Sequence, residues 1–363
     1  MTTGTSARPA APRPDRLADA LLDAVLAMDA DAAAALVMGA LADGLAPEHL
    51  LLDVIAVVQR RIGERWADDT ISVAQEHAAT AVNERAVAAL AARTPDPLTP
   101  ARGRVTVACV DGEWHALPAR LLAEVLRLRG WQVDFLGAQV PATRLIAHLH
   151  TTPTDVVALS GSITTRLPAA HAAVTACQAV GVPVMVGGAA FGPDGRYAEL
   201  LGADAWAPDA RAAADLLAAR PLPRPQPDHQ PLDDLPHLTD QEYTLVTRSR
   251  AELVRTVLAG LEAAVPAVAA YNDLQRERTA EDLAHIVDFL ATALYLDDQD
   301  LFGAFLTWTT RILVRRGVPA ASLPPALVLL ADELKDFPRA TRILGHGLRG
   351  LTHQPTATTG KTA

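Results

Sequence analysis

Two short clusters in the chain carry groups that could hold a metal-bearing ligand. The first is Asp111-Gly112-Glu113-Trp114-His115, directly after the apolar run Val105–Val110. Imidazole is a good ligand for cobalt or iron. A carboxylate on its other nitrogen fixes the tautomer and raises the basicity, and Glu113 stands two residues from His115 for that purpose. The second cluster is Trp66, followed after nine intervening residues by Glu76-His77. Ser72-Val73-Ala74-Gln75 is a capping-box pattern, so a helix should start just after Ser72 and carry Glu76 and His77 in its early turns. Ala78, Ala79 and Ala81 follow, and small residues there let a helix lie close to a flat ring system. Each group alone has an ordinary reading: a loop histidine, a bundle-core tryptophan, a surface Glu-His pair.

The surrounding composition narrows the function classes. The chain has 363 residues, enough for two or three domains at about 150 residues each. Lys and Arg total 32 against 42 Asp and Glu, for a net charge of −10. That balance argues against direct nucleic-acid binding and against an anionic membrane surface. Half of the residues are hydrophobic but only 4% are aromatic, which suits a helix-rich protein. The two cysteines, Cys109 and Cys177, cannot make a disulfide framework, so a reducing, cytoplasmic compartment is expected. Residues 1–16 lack an apolar core of a targeting segment and read as a disordered tail. No apolar run reaches about 18 residues, so no membrane span is expected.

The elements that must position the two clusters follow from periodicity. Residues 17–100 carry apolar residues at helical spacing, as in Leu51, Leu52, Ile55, Val58 and Ile62, and predict a four-helix bundle acting as a cap. Over 101–220 the period changes. Arg104–Val110, Val133–Gly137, Asp155–Ser160, Pro183–Gly188 and Asp204–Ala207 read as short strands alternating with helices. This predicts a doubly wound parallel sheet of Rossmann-like type, binding ligands at the carboxyl ends of its strands. No GxGxxG or P-loop pattern follows the first strand. Instead the third strand ends in Ser160-Gly161-Ser162 and the fourth in Gly187-Gly188, small residues that would leave a slot for something long. Residues 221–238, with Pro221, Pro223, Pro225, Pro227, Pro231 and Pro236, read as an extended linker. Residues 239–350 return to helical periodicity as an all-α domain of four to six helices, and 351–363 read as a second tail.

Glu113-x-His115, Ser160 and Gly187-Gly188 resemble the cobalamin-binding module, whose signature is Asp/Glu-x-His-x-x-Gly, then Ser-x-Leu, then Gly-Gly. The resemblance covers roughly 17–220. It implies that His115 is the lower cobalt ligand and that the displaced nucleotide tail runs beside Ser160 and the glycine pair. Two positions depart from the signature: Pro118 stands where it has glycine, and Ser162 where it has leucine.

Trp66-x9-Glu76-His77 is similar to the cap of adenosylcobalamin-dependent light sensors, best known from repressors of carotenoid synthesis. The resemblance implies that Trp66 packs against the adenosyl group, that Glu76 bonds its ribose, and that His77 takes the upper cobalt position after light. Only about 16 residues precede the cap here, so no DNA-binding domain is expected. The layout with a helical block resembles photocobilins, in which a globin-like domain binds biliverdin. On that resemblance His285, Asp288 and Phe289 are the candidate bilin contacts, with arginines such as Arg250 available to ligand carboxylates. Because neither cysteine lies in this block, biliverdin would be held non-covalently; haem, with His285 and His346 as imidazoles, is the competitor. The expectation is a multidomain α and α/β protein: a non-enzymatic photoreceptor, homo-oligomeric in a light-dependent way, with no nucleophile–base motif in view. The alternative is a corrinoid protein carrying methyl groups for a methyltransferase system.

Overall fold

The computed structural model describes residues 14–94, 102–225, 235–315 and 320–353. They fall into two compact units. Within the first, residues up to 94 make a helical cap: α1 (Pro14–Leu26), α2 (Ala30–Ala42), α3 (Pro47–His49), a π-helical stretch (Leu50–Ile55), α4 (Ala56–Ala67) and α5 (Val73–Ala91). Because α3 runs through the π turn into α4, this is a four-helix arrangement, as the periodicity predicts. Leu21, Val25, Val37, Leu50, Ile55, Val58, Ile62 and Leu90 form its buried core. The Ser72–Gln75 capping box is formed in both directions and starts α5 at Val73. Helix α1 begins at Pro14, taking in the last three residues of the expected tail, because Pro14 suits a first turn and Leu17 already packs in the core. Residues 1–13 and 95–101 lie outside the described residues.

The same unit contains β1 (Arg104–Cys109), α6 (Ala116–Leu128), β2 (Gln132–Gly137), α7 (Ala142–Thr151), β3 (Val156–Ser160), α8 (Leu167–Ala179) from Ala172 on, β4 (Val184–Gly187), α9 (Arg196–Leu200), β5 (Ala205–Ala207) and α10 (Ala210–Ala219). The five strands form one parallel sheet in the order β2-β1-β3-β4-β5. β3 is buried along its whole length and β1 from its second residue on, as a sheet covered on both faces requires. The winding direction reverses between β1 and β3. That switch point opens a crevice at their carboxyl ends, where Glu113, His115 and Ser160 lie.

Charge fastens the cap to the sheet within this unit. Arg129, after α6, donates from Nε and Nη2 to the two carboxylate oxygens of Glu48 in α3, at 2.9 Å each, and also pairs with Asp215. Arg211 of α10 reaches Glu48 and Asp53 at 3.1–3.2 Å. The Arg129 guanidinium, with Arg211 adding to it, holds the Glu48 carboxyl below the usual carboxylate range.

The second unit is helical: a 3-10 turn at Pro236–Asp240, then α11 (Glu242–Arg248), α12 (Arg250–Ala264), α13 (Pro266–Ala269), α14 (Asp273–Leu296), α15 (Gln299–Arg315), α16 (Leu323–Glu333) and α17 (Pro338–His353). The expected linker therefore ends in ordered structure, and the last helix runs three residues into the expected tail. Residues 226–234 of the linker, residues 316–319, and residues 354–363 of the tail lie outside the described residues. The buried Glu242 carboxylate accepts from the Arg339 and Ala340 amides and so caps α17. Residues 163–171 also group with this unit, which periodicity along the chain did not indicate. There His171, fully buried, is hydrogen-bonded through Nδ1 to the Tyr295 hydroxyl at 2.8 Å.

Arg129→Ala should lower the unfolding free energy by about 1 kcal/mol at low salt. The loss should shrink at about 1 M salt, where screening acts within roughly 3 Å. Denaturant titrations at the two salt concentrations measure this, and equal losses would place the effect in packing instead.

Candidate cofactor site

The site is built around a buried carboxylate. Glu113 is fully buried and accepts from the His115 amide at 2.9 Å, from the His115 ring through Nδ1 at 2.6 Å, and from the Ser162 amide at 2.5 Å. Its own carbonyl accepts from Gln139 after β2, and Val110 N donates to Ser160 O. The loops after β1, β2 and β3 thus converge on this residue. With Nδ1 taken by the carboxylate, Nε2 is the nitrogen of His115 left to bind a metal, on a side chain 45% exposed. This is the arrangement that orients a histidine for binding a metal. Ser162 contributes its backbone N–H, so its departure from the signature costs that contact nothing.

Electrostatics follow from the geometry. The Glu113 hydrogen bond raises the His115 pKa above the usual histidine range. Burial opposes this, and the charges of Glu113 and, from the cap, Glu76 add to it. Burial pushes the thiols of Cys109, beside His115, and of Cys177, near the end of α8, up to about 12 each, far from the thiolate that metal binding needs. Among the described residues no cluster of three or more His, Cys, Asp or Glu could hold a bare metal ion. A metal carried in its own ring and taking one protein ligand makes no such demand.

Beside this lies a slot of about 110 Å³ lined by Ser160, Gly187, Gly188, Pro118, Leu122 and Asp209, among others. Gly188 has φ +100°, and a Cβ there would collide with the Gly161 carbonyl oxygen; a Cβ on Gly187 would stand 3.0 Å from the Ala207 oxygen. Gly188 is therefore required by the backbone itself, whatever the slot accommodates, and Gly187 sits in a tight spot beside it. Pro118 sits in the first turn of α6 and forms part of the wall, so the ring replacing the signature glycine narrows the slot.

The cap residues are placed on α4 and α5. Trp66 is half-buried against the core. On α5, Glu76 is half-buried and its Oε2 lies 2.9 Å from Nδ1 of the exposed His77. Sequence reasoning missed Trp114, which is 51% exposed with its ring centroid 5.3 Å from that of His115. Its position inside the Glu113–His115 spacing was the available signal.

The helical-unit candidates His285, Asp288 and Phe289 lie on one face of α14, and two of them already have partners. Asp288 is occupied by a bidentate pair with Arg250, at 2.5 and 2.9 Å, so Arg250 serves a helix–helix contact rather than a ligand carboxylate. Phe289 stacks on Phe305 with centroids 3.8 Å apart. His285 is exposed, and His346 lies 3.3 Å from Asp300.

In the ligand-free protein, His115 should hold its proton to higher pH than an ordinary histidine. The stability this adds is complete below the unfolded-state pKa and is lost as pH rises through the folded one. Nε2 must shed its proton to bind a metal, so ligation should weaken as pH falls through the folded value. Glu113→Gln should shift the His115 titration to lower pH, followed by NMR of the ring protons; an unmoved midpoint would remove Glu113 as the cause.

Comparison with known proteins agrees with this geometry. Residues 103–217 and residues 17–91 each match a family model described as B12 binding domain. The chain is 36% identical over 124 residues to the HTH-type transcriptional repressor CarA of Myxococcus xanthus, covering 32% of this chain and 41% of the repressor. It is 36% identical over 152 residues to CarH of the same organism, covering 40% of this chain and 49% of that protein. It is 24% identical over 204 residues to the dimethylamine corrinoid protein of Methanosarcina barkeri, covering 55% of this chain and 94% of the relative. The chain thus spans less than half the length of either repressor. Residues 17–91 and 103–217 are B12 binding domains, and the cofactor they imply is a corrinoid.

Proposed function

We propose that the chain is a cobalamin-dependent light sensor rather than an enzyme. His115 would be the lower ligand of adenosylcobalamin, with the nucleotide tail in the slot beside Ser160, Gly187 and Gly188. The single observation that carries corrinoid ligation is the His115–Glu113 pair, with Nδ1 held by a buried carboxylate. The light-sensing part is supported by Trp66, Glu76 and His77 on adjoining cap helices and by the higher identity to the two repressors. When bound, the cofactor supplies a cobalt–carbon bond that light can break. The residues of the chain then do the rest: Trp66 and Glu76 hold the upper group, and His77 stands by as the imidazole that can replace it. Exchanging a carbon ligand for a side chain of the cap would repack the cap and change the state of a homo-oligomer.

The reading extends to the helical unit as the seat of a second chromophore, a bilin such as biliverdin near His285 and Phe289. It would be non-covalent, because both cysteines of the chain lie in the sheet region. A second reading is a methyl-carrying corrinoid protein. It is favoured by the match that runs over nearly all of the dimethylamine corrinoid protein, and it has no use for adenosyl contacts from Trp66 and Glu76.

The test is an absorption spectrum of the full chain reconstituted with adenosylcobalamin and biliverdin, before and after green light. Light-dependent loss of the cobalt–carbon band together with a protein-bound bilin band is the expected result. A cobalamin that binds without photochemical change would favour the methyl carrier, and a missing bilin band would remove the second chromophore. His115→Ala should abolish histidine ligation. His77→Ala should leave dark binding intact while shortening the lifetime of the lit state, read from the same spectra.

A further inference from the structure

Helices α4 and α5 are neighbours joined by residues 68–72, and each carries a stripe of residues at i, i+4, i+7 spacing. On α4 the stripe is Gln59, Gly63 and Trp66; on α5 it is Glu76, Thr80 and Asn83. Side-chain hydrogen bonds link the stripes in one direction. Asn83 Nδ2 donates to Gln59 Oε1 at 2.9 Å, Gln59 Nε2 donates to Thr80 Oγ1 at 2.7 Å, and the Thr80 hydroxyl donates to Glu76 Oε1 at 3.0 Å. The chain of donors ends on a carboxylate, so each bond polarises the next towards it.

Core packing does not call for this arrangement. Asn83 is fully buried, and its Oδ1 has no partner. A buried amide with one bond unmade is costly where an apolar residue would serve. Gly63 is equally unforced. Nothing lies within 4 Å of where its Cβ would be, and a helical glycine is about 1 kcal/mol less favourable than alanine. Between Trp66 and Gln59, this position leaves open space on the face that bears Glu76's partners.

We propose that Gln59 and Thr80 are specificity-determining residues for the upper group of the corrinoid. They fix the Glu76 carboxylate to accept from a hydroxylated, nucleoside-bearing group, for which Gly63 leaves room, over a bare methyl group. The assignment rests on the light-sensing reading above. Gln59 and Thr80 act through Glu76 and are positioning residues.

The experiment is a pair of binding titrations of the full chain in the dark, with adenosylcobalamin and with methylcobalamin. It is run on the wild type, Thr80→Val, Thr80→Ser, Gln59→Leu and Gly63→Leu. In the unloaded proteins, NMR reads exchange of the Gln59 side-chain amide. The wild type should prefer adenosylcobalamin. Thr80→Val and Gln59→Leu should lose about tenfold of that preference, equivalent to about 1.4 kcal/mol, and Thr80→Ser should retain it. Gly63→Leu should lose adenosylcobalamin affinity while keeping methylcobalamin affinity. Amide exchange at Gln59 should be slow in the wild type and Thr80→Ser and fast in Thr80→Val. An intact preference in Thr80→Val, Gln59→Leu and Gly63→Leu would overturn the assignment and leave the light-sensing reading standing. Equal affinity of the wild type for the two cobalamins would overturn that reading and the assignment with it.

Discussion

A fully buried carboxylate sets the terms for the ligand-binding end of the sheet. Taking a charged Glu113 out of water is tolerable only if donors surround it, and the chain supplies them from its own loops: the His115 amide and ring and the Ser162 amide. Satisfying Glu113 therefore brings the loop after β3 against the loop after β1 and orients the imidazole at the same time. Raised basicity, a fixed tautomer and an open Nε2 are consequences of that one burial. A chain that lost the carboxylate would lose the loop geometry along with the ligand's orientation.

The sheet explains why this happens where it does. The order β2-β1-β3-β4-β5 reverses winding between β1 and β3, so the loops that follow those strands part and leave a crevice. One strand further along, β4 ends in a glycine pair: the Gly161 carbonyl leaves no room for a side chain at Gly188, and the Ala207 oxygen crowds Gly187. The slot is thus a by-product of tight strand-end packing, and Pro118 and Leu122 of α6 set its width. Glu48, Arg129 and Arg211 then fix where the cap sits in the same unit.

Much of this was legible in the sequence, and the parts that were not share a physical cause. Strand positions, the four-helix cap and the start of α5 after Ser72 all leave a local signature: period, turn residues or a capping pattern. The Glu113–His115 pair was readable because its members are two residues apart. The Ser162 contact was not, because a backbone N–H carries no side-chain signature. Arg129 and Glu48 meet across 81 residues, and Asp288 meets Arg250 across 38; periodicity marks such residues only as charged. The mixed stripe of His285, Asp288 and Phe289 could equally have been a pocket or a helix contact, and the structure supplies helix partners for Asp288 and Phe289. Grouping of residues 163–171 with the helical unit depends on long-range contacts such as His171 with Tyr295, which again leave no local trace.

The two faces of the site differ in how firmly the chain holds them. On the lower side, backbone amides of adjacent loops and a buried charge fix His115, and moving it means disrupting strand ends in the core. On the cap side, Glu76 accepts from the Thr80 hydroxyl, which in turn accepts from the Gln59 amide, and His77 is largely exposed. Rotating Glu76 or His77 breaks no secondary structure, whereas Asn83 at the far end of the network is fully buried. The Glu113–His115 side is thus tied to strand ends of the sheet, whereas the Glu76–His77 side is tied to side chains of the cap helices.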